Sequence, residues 1–338
     1  MKIGLKLNTQ FRPGQDPVEG TAELVEQVRL ARDCGFDSVW VSQHYLTTPF
    51  QALQTWPMLG RIAAEAGEMQ IGSAIYLLTL HNPVEAAELA TTIDVLTGGR
   101  FIFGVGLGYR EQEFEAFGLD IKQRVSRFTE ALEVLLRLWT EESVTHQGKH
   151  FQLTDAHLTM RPVQQPHPPI WIAASSDVAV KRIAKHGFPW LINPHASLTT
   201  VEKQMGLFHE SLDEHGKARP STVPVFKEFS IAQRREDALA TARPYLEKKY
   251  QSYADWGLDK PMPEGERLTV PLDELAKDRF IIGTPEECRE ELLRHEEAIG
   301  ADHFLLRMQW PGMPQGDVLR QLELAGEELI PKTHGLRS

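Results

Sequence analysis

Cysteine is nearly absent from this 338-residue chain, which carries only Cys34 and Cys288. That excludes a disulfide framework and a zinc site built from thiolates. Long hydrophobic runs are also missing. Nowhere do about 18 apolar residues follow one another, so no membrane-spanning helix is expected. Positive charge is in deficit: 36 Lys and Arg face 47 Asp and Glu, a net charge of −11. This balance argues against nucleic acid or an anionic membrane as a partner. No basic stretch followed by an apolar segment opens the chain, which begins with the strand pattern Ile3–Leu7. The expectation is a soluble, cytoplasmic protein. No Ser-, Pro- or Gly-rich linker, low-complexity tract or internal repeat divides the sequence, which reads as one domain over 1–338.

The composition is that of an ordinary globular protein, 41% hydrophobic and 25% charged. Short β-rich apolar runs occur at Ile3–Leu7, Ser38–Val41, Met69–Ala74, Phe101–Val105, Ile170–Ala173, Pro189–Ile192, Val223–Ile231 and His303–Met308. Amphipathic segments separate them: Thr21–Cys34, Pro57–Ala66, Pro83–Leu96, Ser126–Trp139, Val178–His186, Thr200–His215, Glu236–Trp256 and Pro285–Ile299, with Asp317–Leu329 after the last strand. Asn82-Pro83 and Thr284-Pro285 read as helix caps followed by first-turn prolines. Gly67, Gly98-Gly99, Gly187 and Gly300 fall where left-handed caps are wanted. Eight alternating units predict a (β/α)8 TIM barrel over an open doubly wound sheet. Two irregular insertions, about 141–165 and 257–277, are expected at the carboxyl-end face, the second long enough for a lid.

In a barrel the strand ends converge on one face, and here they are rich in hydroxyls, amides and aromatics. His44, closing Asp37-Ser38-Val39-Trp40-Val41-Ser42-Gln43-His44, is the one imidazole among them. It sits where α/β barrels place their chemistry and titrates nearest neutral pH. The bland alternative is a loop histidine. No cluster of carboxylates and histidines suits a metal. His146 and His150 are spaced i,i+4, but Gly148 between them favours a solvated β-turn. Glu228 stands alone near a strand end, where a glycosidase would need two facing carboxylates. Gly104-Val-Gly106-Leu-Gly108 misses the dinucleotide-binding spacing, and no helix is expected directly after it; its glycines read as a tight turn that lets a flat ligand approach. Ala173-Ala174-Ser175-Ser176-Asp177 leads from a strand into a helix, either a phosphate cradle or an ordinary N-cap.

Taken in order, these segments resemble the bacterial luciferase-like flavin monooxygenase superfamily over about Met1 to Gly312. The landmarks are Gly35-Phe-Asp-Ser-Val-Trp-Val-Ser-Gln-His44; Gly72-Ser-Ala74; Asn82-Pro83 with Asp94-Val-Leu-Thr-Gly-Gly-Arg-Phe101; Gly104-Val-Gly-Leu-Gly-Tyr109 with Glu113-Phe-Glu-Ala-Phe-Gly118; Arg161-Pro162; Pro168-Pro-Ile-Trp-Ile172 with Ser175-Ser176; and Gly283-Thr-Pro285. The resemblance implies a flavin-type cofactor lying across the strand ends. Ser73 and Ala74 match the strand-three bulge that supports the ring, often a non-proline cis peptide. Ala174, Ser175 and Ser176 match the phosphate site, and Gly106, Tyr109 and Arg127 fall near the cofactor. His44 matches the histidine beside the reactive edge of the ring.

Two departures stand out. The family commonly has an acid before this histidine and a second histidine after it, where this chain has Gln43 and Tyr45. Many relatives carry an arginine at the position of Leu107, so phosphate charge falls to amides, hydroxyls or another arginine such as Arg110, Arg124 or Arg127. The resemblance implies a monooxygenase that uses O2 and reduced FMN from a separate flavin reductase to oxidise a small, moderately hydrophobic substrate. His44 is then the acid/base, and Tyr45, Tyr76 and Trp310 line the substrate site. An F420-dependent reductase or dehydrogenase is the alternative, and a non-catalytic flavin-binding barrel the third reading. Substrate contacts are expected from Phe50 to Trp56, Gly257–Lys277 and Gln309–Met313. A homodimer is expected from the family.

Overall fold

The computed structural model of the chain describes residues 1–255 and 266–334. Strands β1 (Lys2–Lys6), β2 (Ser38–Val41), β3 (Gln70–Ser73), β4 (Phe101–Val105), β5 (Ile170–Ala174), β6 (Trp190–Ile192), β7 (Pro224–Ile231) and β8 (His303–Arg307) each pair in parallel with their sequence neighbours. β8 pairs with β1, and Ile192 opposite Val225 joins β6 to β7. The sheet is therefore a closed eight-stranded parallel barrel, as the alternating pattern predicts. A short strand, Ile281–Gly283, also pairs with the second half of β7. Three residues long, it carries no periodic signal of its own.

Helices α1 (Pro17–Asp33), α2 (Thr55–Ala63), α3 (Pro83–Leu96), α4 (Arg124–Thr140), α5 (Asp177–Ala184), α6 (Leu198–Glu214), α7 (Arg235–Asp255) and α8 (Pro285–Ile299) connect the strands. Their starts follow from local chemistry. The Asn82 side chain accepts from Val84 N before Pro83, and Thr284 forms a capping box with Glu287 before Pro285. Gly67, Gly98, Gly99, Gly187 and Gly300 all have positive φ, as expected past helix ends.

Between α4 and β5, the first excursion forms an antiparallel hairpin, Val144–Gln147 with Gln152–Ala156. It leaves the carboxyl end of a helix, which lies at the amino-end side of the barrel, and runs back along α4. There Glu130 accepts from the amides of His150 and Phe151 and lies 3.2 Å from His146 Nε2. This segment braces a helix and does not stand over the mouth. Of the second excursion, 257–265 lies outside the described residues. Glu266 sits at the carboxyl-end side, accepting from Ser197 and Arg279, and Arg279 also donates to His195 O. A small sheet absent from the sequence expectations, Gln10–Phe11 with Gln51–Ala52, joins the loops after β1 and β2.

The barrel interior is filled by Trp40, Ile102, Trp171, Leu191 and Leu305. Trp40 and Trp171 stack at 4.8 Å, and Trp40 donates to Ser38 Oγ. Room for Trp40 comes from glycine in a neighbouring strand: a Cβ at Gly72 would lie 2.0 Å from its ring. Gly72→Ala is therefore expected to lower the unfolding free energy by about 1–3 kcal/mol. Urea unfolding checks this, and most of the loss should disappear when Trp40 is Leu in both proteins, because the clash has then been removed.

Candidate active site

At the carboxyl ends of the strands two chambers open side by side, each of about 350 Å3. Ser42, His44 and Arg307 line both, so these three side chains form the wall between them. The first chamber lies over β3 to β6; the second lies under the small sheet and against α7.

The first chamber has an apolar floor of Ala74, Ile75, Leu77, Leu107, Leu191 and Phe226. The peptide between Ala74 and Ile75 is cis. Several groups hold that turn. Ala74 N donates to Val41 O, Gln43 N donates to Ile75 O, and Ser73 Oγ donates to Gly104 O. The Gln43 side chain accepts from Leu77 N and donates to Tyr45 Oη. Two glycines of the β4 turn are needed for the same turn. A Cβ at Gly104 would lie 1.9 Å from Ser73 O, and one at Gly106 would lie 2.1 Å from Ile75 Cδ1. These glycines admit the protein's own bulge, where the sequence suggested they admit a ligand. Ser73 and Gly106 thus shape the floor from behind, and Ala74 faces the chamber.

At the far end of this chamber stands the start of α5. Ser176 caps it, accepting from Ala179 N at 3.3 Å. Asn193 Nδ2 reaches Ser175 Oγ, and Trp190 Nε1 donates to Ala174 O. Two arginines join them, Arg124 from α4 and Arg182 from α5. Burial and the neighbouring Arg124 both push the Arg182 guanidinium below its ordinary range. Neither has a carboxylate within ion-pair distance among the described residues. Amides at a helix start, hydroxyls and two like charges are groups that can hold an anion. Arg127, expected near the cofactor, is turned away: it donates to Thr79 O and lies 4.5 Å over the Phe151 ring. Arg110 is also elsewhere, beside His44. Arg182 was missed because a basic residue within a helix gives no signal before the fold brings it to Arg124.

On the shared wall, His44 Nδ1 lies 3.3 Å from Glu113 Oε1. The same carboxylate oxygen accepts from Tyr45 N at 2.9 Å and Arg110 Nη1 at 3.2 Å. Arg110 also donates to the carbonyls of Tyr45 and Leu46. Glu113 sits on a helix, Glu111–Ala116, that begins soon after the glycine turn where none was expected. Six residues are too short for an amphipathic signature, so Glu113 stood out only as a family landmark. It is 1% exposed. Burial alone would raise its carboxyl, but His44, Tyr45 and Arg110 outweigh it and hold the group below the usual carboxylate range. The acid partner of His44 thus comes from sixty-nine residues downstream, not from the preceding position.

Tyr109 lines the first chamber and meets the His44 ring edge-on at 6.5 Å. Tyr45 and Tyr76 line neither chamber, contrary to the expected substrate walls. Tyr45 packs on Phe117 and His81, and fully buried Tyr76 stacks on His81 at 4.6 Å. Trp310 does line the second chamber, together with Phe50, Tyr245, Arg12, Lys248 and Lys249. Beneath it Glu228 is wholly buried, accepting from Lys249, from Arg307 at 3.3 Å and from Trp310 Nε1 at 2.8 Å. Among the described residues no group of three or more His, Cys, Asp or Glu could hold a metal, and no helix is long and apolar enough to cross a membrane.

Glu113 also makes a stability prediction. Its folded pKa is depressed, so its contribution is complete above the unfolded value of about 4.3 and is lost as pH falls through the folded value. Urea unfolding of wild type and Glu113→Gln over an acidic series should show the wild type losing more stability than the variant. Parallel curves would contradict the depressed carboxyl.

Comparison with known proteins agrees with this architecture. A luciferase-like monooxygenase family model matches residues 1–303. An F420-dependent glucose-6-phosphate dehydrogenase of Amycolatopsis mediterranei is 28% identical, over 99% of this chain and 99% of its own. The oxygenase component of a flavin-dependent trigonelline monooxygenase of Acinetobacter baylyi is 23% identical, over 83% of this chain and 81% of its own. Among solved structures, the oxygenating constituent of 3,6-diketocamphane monooxygenase of Pseudomonas putida, in complex with FMN, superposes with a TM-score of 0.81 at 18% identity, covering 98% of each chain. The chain belongs to the luciferase-like monooxygenase family.

Proposed function

From membership of this family of oxidoreductases, we propose that the protein is a monooxygenase that binds reduced FMN in the first chamber and oxidises a small organic substrate held in the second. The observation that carries this reading is the position of His44 on the wall the two chambers share, backed by a buried carboxylate.

The residues of the first chamber fit a flavin nucleotide. Ala74, Ile75, Leu77, Leu107 and Leu191 offer an apolar surface to a flat ring, with Tyr109 beside it. Ser175, Ser176, the start of α5, Arg124 and Arg182 would hold the phosphate. Reduced FMN, when bound, would supply the two electrons that activate O2, of which one atom enters the substrate and the other leaves as water. The protein's part is to position and shield. The apolar floor keeps water from the ring, and the Ala74–Ile75 turn, fixed by Gln43 and the β4 glycines, keeps that floor rigid. His44 holds or moves a proton at Nε2, because Nδ1 faces Glu113. Glu113 and Arg110 fix the ring's direction, as a third group does in any oriented acid/base pair. Trp310 would form a substrate wall.

Names such as "oxygenase component" and "oxygenating constituent" among the relatives support a separate flavin reductase as partner. A second reading is an F420-dependent dehydrogenase acting by hydride transfer, favoured by the full-length similarity to a dehydrogenase of that class. The site serves both, since each needs a ring platform, an anion site and a proton-handling group at the wall.

Titration with FMN, reduced FMN and F420, followed by oxygen uptake with candidate substrates, separates the readings. Tight FMN binding with substrate-dependent oxygen uptake supports the first. Turnover that requires F420 and no oxygen replaces it with the second. His44→Ala should keep cofactor affinity and lose about 10²–10⁴-fold in turnover; undiminished turnover would remove His44 from the chemistry. Arg182→Ala should weaken FMN by about tenfold or more and leave riboflavin unchanged, because only FMN carries the phosphate.

A further inference from the structure

The second chamber carries an electrostatic signature that the proposed function does not use. Arg12, Lys248, Lys249 and Arg307 all line it, and no carboxylate does among the described residues. In a chain with 47 acidic and 36 basic residues, a concave surface with four cations and no acid is against the overall balance. The cations come from three separate directions. Arg12 projects from the small sheet, with its stem over Gly312, where an added Cβ would lie 3.3 Å from Arg12 Cδ. Lys248 and Lys249 belong to a stripe on α7, with Tyr245 and Ser252 at one helical turn on either side. Arg307 ends β8.

These charges differ in what they face. Lys249 and Arg307 meet buried Glu228, and Lys6 lies close enough for Arg307 and Lys249 to oppose its charge. Among the described residues Arg12, which follows the small sheet, and Lys248, on α7, have no carboxylate within ion-pair distance. Asp317, whose charge acts on the Tyr245 hydroxyl, is paired with Arg320. The chamber also has an aromatic wall: Tyr245 and Trp310 lie 6.2 Å apart and nearly parallel, at 9°, and Phe50 lines the chamber with them.

Resting on the reading of this chamber as the substrate site, we propose that it selects an organic anion. The ligand has a flat apolar body of one or two rings and a carboxylate or phosphate head. The body lies against Trp310 and Tyr245, and the head is held between Arg12 and Lys248. A chamber of about 350 Å3 limits the body to that size. Such a ligand reconciles the apolar wall with the charges: a neutral hydrophobic substrate would leave both rim cations without a role, and a cationic one would be repelled. Arg12 and Lys248, the two that do not meet Glu228, also draw anions toward a protein whose net charge otherwise repels them.

The test compares benzoate, phenyl phosphate and neutral benzamide by calorimetry on the protein loaded with whichever cofactor it retains. Loading keeps the probes out of the Arg124–Arg182 site. At least one anion should bind about tenfold or more tightly than benzamide, with an advantage that shrinks as salt is added. Which anion wins distinguishes a carboxylate from a phosphate ester. The exposed double substitution Arg12→Ala/Lys248→Ala should abolish the advantage and leave cofactor affinity unchanged, since neither residue lines the first chamber. Arg182→Ala should leave the advantage intact. Equal binding of benzamide, no binding of either anion, or an advantage that survives the double substitution overturns the proposal. Failure of the wild type to bind FMN or F420 would instead overturn the proposed function, and the anion preference of the unloaded protein would still be measurable.

Discussion

Closing the sheet through Ile192 and Val225 is the constraint on which the site depends. A parallel sheet with no free edge must send the carboxyl end of every strand to the same rim. Residues distant in sequence then have no choice but to meet: Ser42 after β2, Ala74 after β3, Ser175 after β5 and Arg307 at the end of β8 all border the same pair of chambers. The closing strand β6 is only three residues long, so it needs support beyond its ladder. Trp190 provides it by donating from its indole to Ala174 O and packing against Phe208 of α6. That bond ends on the residue that starts the α5 turn. The device that closes the barrel therefore also braces the turn into α5.

Two buried carboxylates organise the wall between the chambers, and they do so in similar ways. Glu113 gathers His44, Tyr45 N and Arg110, and Glu228 gathers Lys249, Arg307 and Trp310. Taking a carboxylate out of water costs several kcal/mol, and one partner would not offset it. Several donors converging on each acid do. The result is a pair of rigid nodes, one fixing the imidazole and one fixing the cations. Burial and Arg307 together bring the Lys249 ammonium down to about 7, and burial with Lys249 nearby lowers the His195 imidazole to about 3. Around Glu228, cations crowd each other more than the single acid can relieve.

The sequence makes the barrel legible because its signals are local and repeated. Asn82-Pro83, Thr284-Pro285 and the glycines past helix ends each mark a boundary, and the helices Pro83–Leu96 and Pro285–Ile299 match their expected spans. His44, Ala74, Tyr109, Ser175 and Ser176 border the first chamber because strand ends can be counted before the fold is known. What could not be read were pairings between elements. Glu113 rides on a helix too short to show a period. Arg182 is one polar residue among others until α5 packs beside α4. Tyr45 and Tyr76 follow strand ends yet turn into the loop layer, since alternation gives a face only while the backbone stays extended. The β4 glycines were visible, but their partner, the bulge of β3, was not.

On the proposed function, the two-chamber layout separates two kinds of recognition that a single pocket would couple. The residues of the first chamber are mainly strand-end turns, apolar side chains, the start of α5 and two arginines, Arg124 opening α4 and Arg182 in the last turn of α5. Those of the second come from α7, the small sheet and the loop through Trp310 to Gly312, elements whose length and composition can change without disturbing strand order. Only Ser42, His44 and Arg307 answer to both. On the proposed function, a change of substrate preference would be made at Arg12, Lys248 or Tyr245 while the first chamber stays as it is. A change at the shared wall alters both at once. On the proposed function, that asymmetry would let one barrel serve relatives named as dehydrogenases and as monooxygenases, because the strand ends fix the two chambers and the loops vary what enters the second.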